Sequence, residues 1–264
     1  MPNKFILMAG PCVIESEENA MFLASAIADI VKKYDVEYYF KASWDKANRT
    51  KATNYRGPGL DEGMRILKTI KHNLKVKVVT DIHEPWQASP VAEVADMIQI
   101  PAFLCRQTDL LKAAAETGKK INIKKAQFMS PEEMNNVISK MEYFGNTDFM
   151  LCERGTCFGY NNLVVDMTGL ARLKKLGYPV CFDATHSVQI CGGGFNYGNS
   201  GKSEYVPYLA RAAMATGTLD GLFTEVHNDP VNALCDGICM LRLDKLERLL
   251  DELMQIRYVV EKYN

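Results

Sequence analysis

This sequence lacks a long apolar run. None approaches the roughly 20 residues that cross a bilayer, so no helical membrane span and no membrane partner are expected. It also lacks the outline of an export signal. The opening MPNKFILMAGP holds the short run FILMA and then Gly-Pro, without an extended apolar core or a small-residue cleavage site. The cytoplasm is therefore the expected compartment. Charge of one sign is missing too: a net charge of −1 gives no overall field that would draw the chain to nucleic acid. Any anionic ligand must be held by a local cluster of Lys and Arg. Eight cysteines are present, at 12, 105, 152, 157, 181, 191, 235 and 239, but no CxxC pair. That leaves a zinc ribbon or a thioredoxin-type site without support. Several of these cysteines fall inside apolar runs, and reduced thiols are expected rather than disulfides. No GxGxxG follows the first apolar run, which argues against a dinucleotide-binding sheet. No linker, repeat or low-complexity tract interrupts residues 1–264, so they are read as one domain.

What is present is a regular alternation. Short apolar runs occur at 5–9, 36–40, 77–80, 97–100, 121–123, 149–152, 180–182 and 221–224. Between them lie stretches with helical spacing near 17–33, 60–72, 85–94, 107–117, 131–143, 167–176 and 206–216. A last one, 243–261, places Leu246, Leu249, Leu250, Leu253, Ile256 and Val260 on one helical face. Ser130-Pro131-Glu132-Glu133 has the form of an N-cap followed by a proline and acids in the first turn. Strands joined by helices pair in parallel, and this many units in a chain of 264 residues favour a closed (β/α)8 TIM barrel over an open doubly wound sheet. The long irregular stretch Cys191–Ser203, after the seventh run, reads as a lid or binding loop.

Active sites of such barrels gather where the strands end. The residues just beyond each run are unusually rich in chemistry. After the second come Lys41, Ser43, Lys46, Asn48 and Arg49; after the third, Asp81 and His83; the fourth ends on Gln99 and leads to Arg106. Lys124 and Lys125 follow the fifth, Glu153 and Arg154 the sixth, Asp183 and His186 the seventh, and Glu225, His227 and Asp236 the eighth. Cys12 follows the first. In a nearly neutral chain this gathering of cations points to a pocket for phosphorylated substrates. Two of these residues read either way: Lys125 as a pocket cation or an outward-facing neighbour of Lys124, and Asp183 as a site carboxylate or a turn cap.

The motifs AGPCVIES (9–16), KASWDKANRT (41–50), RGPGLDEGMRIL (56–67), TDIHEPWQASPVAEVAD (80–96) and QIPAFLCRQTDLL (99–111) occur in this order. NIKKAQF (122–128), ERGTCFGYNNLVVDM (153–167), FDATHSVQ (182–189) and TEVHNDPVNALCDG (224–237) follow them. In these the chain resembles the 3-deoxy-D-manno-octulosonate 8-phosphate synthases, also called 2-dehydro-3-deoxyphosphooctonate aldolases, along nearly its whole length. The resemblance implies a (β/α)8 barrel, usually a homotetramer. Its members condense phosphoenolpyruvate with D-arabinose 5-phosphate for the inner core of lipopolysaccharide. It places phosphoenolpyruvate on Lys41, Ser43, Lys46, Gln99, Lys124 and Arg154, and the sugar phosphate on Asn48 and Arg49. Arg106 is expected to reach a neighbouring subunit's site. Lys46 or a metal would stabilise the aldehyde oxygen, and Asp81, His186 or a bound water would move protons. Replacing Lys46 or Lys124 by Ala is then expected to cost turnover far more than folding.

The family divides into members that need a divalent metal, with Cys after the first strand, and members that do not, with Asn there. Cys12 matches the first. The implied ligand set is Cys12, His186, Glu225 and Asp236, and one thiolate, one imidazole and two carboxylates suit Zn²⁺, Fe²⁺, Mn²⁺ or Co²⁺. Two departures stand out: Cys235-Asp236-Gly237 looks more like the metal-independent branch, and Cys191 stands where the family commonly has Pro. The alternatives are a sister synthase using another aldose, which would carry a KPRTS-like segment in place of KANRT, a sialic acid synthase, which would have an added C-terminal domain, and a non-catalytic barrel that only binds a sugar phosphate.

Overall fold

Each apolar run becomes a strand, and every strand pairs in parallel with the next. In the computed structural model, which describes residues 4–157, 163–190 and 202–263, these are β1 (Phe5–Gly10), β2 (Val36–Lys41), β3 (Lys77–Asp81), β4 (Met97–Ile100), β5 (Lys120–Lys124), β6 (Phe149–Glu153), β7 (Val180–Asp183) and β8 (Gly221–His227). The ring closes where β8 returns to β1, in a register running from Ile6↔Gly221 to Gly10↔Glu225. The architecture is thus the expected (β/α)8 barrel. Gly221 permits the closure: a Cβ there would lie 2.8 Å from the Ile6 carbonyl oxygen.

The helices are α1 (Glu17–Val31), α2 (Leu60–Leu74), α3 (Ala88–Ala92), α4 (Thr108–Glu116), α5 (Met134–Tyr143), α6 (Met167–Lys174), α7 (Val206–Ala215) and α8 (Leu246–Tyr263). Ser16 caps α1 by accepting the Asn19 N–H at 3.1 Å. The Ser130 expectation holds in a modified form. Ser130 and Glu133 cap each other reciprocally, but the turn that follows Pro131 uses i→i+3 bonds before α5 begins. The third helix is shorter than its pattern suggested, because a 3₁₀ turn at Pro85–Gln87 takes up its start. On α8, Leu246, Leu249, Leu250 and Leu253 are buried against the barrel. Each contributes about 1.5–3 kcal/mol by leaving water.

Alternate strand residues face opposite ways, and this sorts the core into two layers. The larger layer, with Leu7, Phe40, Val78, Ile98, Leu151 and Leu222, lies between strands and helices. A smaller one fills the barrel itself, with Met8, Tyr39, Val79, Met97, Cys152 and Phe223. Two short elements lie outside the expected pattern: an antiparallel pair, Thr156–Cys157 with Leu163–Val164, and a strand at Leu241–Arg242 that pairs in parallel with the end of β8. The longest irregular connection between described elements runs from β2 to α2, over residues 42–59. Most of the loop singled out after the seventh run, residues 191–201, lies outside the described residues.

Candidate active site

The inner face of each strand changes character at its C-terminal end. Two residues beyond a core side chain, and therefore on the same face, stands a polar one. Tyr39 is followed by Lys41, Val79 by Asp81, Met97 by Gln99, Cys152 by Arg154, Cys181 by Asp183 and Phe223 by Glu225. On β5, Asn122 and Lys124 complete the ring, and all of these polar residues are buried. On β1 the corresponding position is Gly10. A Cβ there would sit 2.2 Å from the Lys41 carbonyl oxygen, so the glycine lets the chain turn inward. Cys12 is then tied to the end of β2: its carbonyl accepts from the Ser43 N–H at 3.3 Å and from Lys41 Nζ at 2.9 Å.

Above this ring opens a cavity of about 650 Å³, lined among others by Lys41, Lys46, Asn48, Arg49, Asp81, Gln99, Lys124, Arg154, His186 and Asp236. Its cations do not stand free. Lys41 donates to Glu225 Oε1 at 2.8 Å, and Lys46 lies 3.7 Å from the same oxygen. Lys124 donates to Asp183 Oδ2 at 2.5 Å while its Nζ sits 3.5 Å from the centre of the Phe223 ring. Burial opposes ionisation of Asp183, yet His186 and Lys124 outweigh it and hold the carboxyl well below its usual range. For Glu225, burial is likewise outweighed by Lys41, His186 and Lys46, and for Asp81 by His83, Lys46 and Lys41. All three are carboxylates at neutral pH. Several buried polar atoms find no partner within the described protein: Ser43 Oγ, Arg49 Nε, Asp81 Oδ1, Arg154 Nη1 and Glu225 Oε2. Such atoms are costly unless something fills their hydrogen-bonding capacity.

On the opposite side, His186 Nδ1 lies 2.8 Å from Asp183 Oδ2. The carboxylate can only accept, so Nδ1 donates to it, and Nε2 faces Glu225 Oε1 at 3.7 Å and Asp236 Oδ2 at 3.9 Å. Asp183 also caps the turn, accepting the Thr185 and His186 N–H groups through Oδ1. Asp236 adopts a left-handed backbone, φ 47°. The following Gly237 passes so close to Pro230 that a Cβ would lie 1.9 Å from its carbonyl oxygen. This turn brings Asp236 Oδ2 to 3.6 Å from Cys12 Sγ. Two overlapping groups of possible ligand atoms result, each within 4.8 Å of one another: His186, Glu225 and Asp236, and Cys12, Cys235 and Asp236.

The chain matches the family model described as the DAHP synthetase I family over residues 2–262. It is 54% identical over 258 residues to the 2-dehydro-3-deoxyphosphooctonate aldolase of Fusobacterium nucleatum subsp. nucleatum, covering 98% of this chain and 92% of that protein. Proteins of the same name from Hahella chejuensis and Pseudomonas putida are 53% and 51% identical over 259 residues, with the same coverage. The chain belongs to the DAHP synthetase I family, among its 2-dehydro-3-deoxyphosphooctonate aldolases.

For this aldolase-family barrel, the residues singled out in the sequence fall as follows. Lys41, Lys46, Asn48, Arg49, Asp81, Gln99, Lys124, Arg154, His186 and Asp236 line the cavity. Ser43, Cys12 and Glu225 are fully buried beside it. Arg106 is exposed and lines no part of its own chain's cavity. Lys125 points away: its Nζ donates to the carbonyls of Ala126 and Met129 and lies 3.5 Å from Glu153. Glu153 in turn accepts the Arg154 and Gly155 N–H groups. This pair therefore sets the backbone from which Arg154 projects. Three residues were given no site role in the sequence reading. Phe223 lies under Lys124, Gln189 accepts from Arg154 at 3.0 Å, and Glu15 accepts the Leu234 N–H at 2.8 Å.

Proposed function

We propose that this chain condenses phosphoenolpyruvate with D-arabinose 5-phosphate and water, giving 3-deoxy-D-manno-octulosonate 8-phosphate and inorganic phosphate for lipopolysaccharide synthesis. The observation that carries the reading is the ring of buried Lys and Arg groups at the barrel mouth, together with donors such as Arg154 Nη1 that the described protein leaves unpaired. Phosphoenolpyruvate would bind Lys41, Ser43, Lys46, Gln99, Lys124 and Arg154, and the sugar phosphate Asn48 and Arg49. Two anionic substrates repel each other in water. Fixed cations in a cleft remove that repulsion and hold C3 of the enol near the aldehyde carbon. Water then adds at C2, and phosphate leaves. Lys46 or a metal would stabilise the aldehyde oxygen. Release of phosphate from phosphoenolpyruvate, measured with arabinose 5-phosphate and separately with erythrose 4-phosphate, tests this. Turnover with the four-carbon sugar alone would overturn it.

A divalent metal is part of the proposal. The donor set fits one: Glu225 Oε2 is buried without a partner, and His186 has Asp183 behind it, the usual support of a metal-bound imidazole. Cys12, His186, Glu225 and Asp236 would hold the ion, which would supply Lewis-acid polarisation of the aldehyde oxygen. His186 cannot use one atom twice. With Nδ1 committed to Asp183, Nε2 serves either as ligand or as proton carrier. As a ligand it leaves Asp81 or a bound water to handle protons, and Asp81, held well below the usual carboxylate range by His83, Lys46 and Lys41, is the weaker base for it. Dialysis against chelator should abolish activity, and Zn²⁺, Fe²⁺, Mn²⁺ or Co²⁺ should restore it. Full activity with no metal by elemental analysis would contradict the metal.

Residues 1–264 are proposed to act as one catalytic domain in a cytoplasmic homotetramer. Arg106 supports the assembly, since it is exposed and away from its own cavity. Among the described residues no helix is long and apolar enough to cross a membrane. Light scattering that gives the mass of a single chain would refute the tetramer.

A further inference from the structure

Cys235 has no part in the chemistry above, yet its sulfur lies 3.0 Å from that of Cys12, across 223 positions of sequence. Both are free thiols, buried in a small cluster with Val13 and Met240. We propose that Cys12 and Cys235 are an oxidisable dithiol, a modification site in which a disulfide takes Cys12 out of the active site.

Three features support it. The sulfurs are already within about 1 Å of the disulfide bond length of ~2.05 Å. The two cysteines are presented from separately anchored segments: the Cys12 backbone is held by Lys41 and Ser43, and Leu234, next to Cys235 on the connection after β8, donates its N–H to Glu15. Finally, Cys235 borders the cavity, within reach of a small oxidant, and Arg49 Nη1 donates to its sulfur at 2.6 Å. Cys12 does not line the cavity, so Cys235 meets the oxidant first.

The oxidant is a hydroperoxide. The Cys235 thiol attacks the O–O bond of hydrogen peroxide, giving a sulfenic acid and one water. The Cys12 sulfur then attacks the Cys235 sulfur, forming the S–S bond and releasing a second water. Two thiols lose two hydrogens and two electrons, and peroxide becomes two waters. Cys152 and Cys181 are cross-strand neighbours deeper in the barrel, away from the cavity lining, and provide an internal comparison. The effect on metal loading rests on the proposed role of Cys12 as a ligand; the cross-link itself does not.

The test is peptide mapping of the full-length, chelator-treated protein after dilute hydrogen peroxide. The expected result is a mass loss of about 2 Da and a single linked peptide pair joining Cys12 to Cys235, reversed by dithiothreitol. Cys235→Ser should abolish the link and leave oxygen added at Cys12 instead. No mass loss, a link through Cys239 or Cys191, or oxygen addition without a link in the unsubstituted protein would overturn the proposal. Repeating the treatment with Zn²⁺ bound separates the two readings. Protection supports both, whereas equal cross-linking with and without Zn²⁺ upholds the dithiol and counts against Cys12 as a ligand.

Discussion

The buried pair Lys124–Asp183 offers a test of what holds the site together. Asp183→Asn keeps an oxygen to accept the Thr185 and His186 N–H groups, so the turn can survive and charge becomes the main variable. The side chains are 6% and 0% exposed, with Nζ 2.5 Å from Oδ2. Stranding a buried ammonium in this way costs about 3–5 kcal/mol. The Phe223 face is present before and after the change, so it offsets nothing. For a chain of this size about 1 kcal/mol moves Tm by roughly 2–4 °C, which puts the expected fall at about 6–20 °C. Lys124→Met in the same molecule removes the stranded charge, and the double variant should melt above Asp183→Asn alone. Thermal melts of the four proteins in a double-mutant cycle measure the coupling. Costs that add to within about 0.5 kcal/mol would refute the ion pair as a structural unit. The same geometry changes the expectation for Lys124→Ala: it loses folding stability as well as turnover.

Lys46 differs, being partly exposed and 3.7 Å from Glu225. Lys46→Ala should reduce turnover about 10²–10³-fold while Tm stays within a few degrees, and unchanged turnover would remove Lys46 from the mechanism. Gly10→Ala forces a methyl against the Lys41 carbonyl; a loss of about 1–3 kcal/mol together with reduced turnover is expected, and a variant melting like the parent would show the strand end to be pliable. Acid should unfold the protein through Asp81, Asp183 and Glu225. Their folded pKa values lie below the unfolded ones, so their contribution is complete above about pH 5 and is lost as pH falls below about 4. A Tm that stays flat down to about pH 3 would contradict the assigned pairings.

The barrel was legible because each strand is a short apolar run closed by polar residues, a pattern that both burial and strand length impose. Positions at strand ends carried over for the same reason, whereas Lys125, which read either way, was placed outward only by the fold. Two things were not legible. Pairing was one: Lys41 with Glu225 joins residues 184 positions apart, and local sequence carries no trace of such a contact. The sequence therefore reads as a pocket of cations, whereas the folded site is a lattice of cations and carboxylates. Phe223 was the other, because an aromatic inside an apolar strand looks like core until its neighbour's charge is placed above it.

The shared parity of the strand ends has a consequence for how this pocket can change. Lys41, Asp81, Gln99, Arg154, Asp183 and Glu225 all lie in step with the core residue two places before them, and Lys124 with the buried Asn122. Inserting or deleting one residue within any strand would turn its functional side chain out towards the helices and bring an apolar one to the mouth. Strand length is thus locked to chemistry, while the connections after β2 and β8 are not. New substrates for this scaffold are to be sought by substitution at the strand ends or by rebuilding those two connections, and a library that shifts strand register should yield inactive barrels almost without exception.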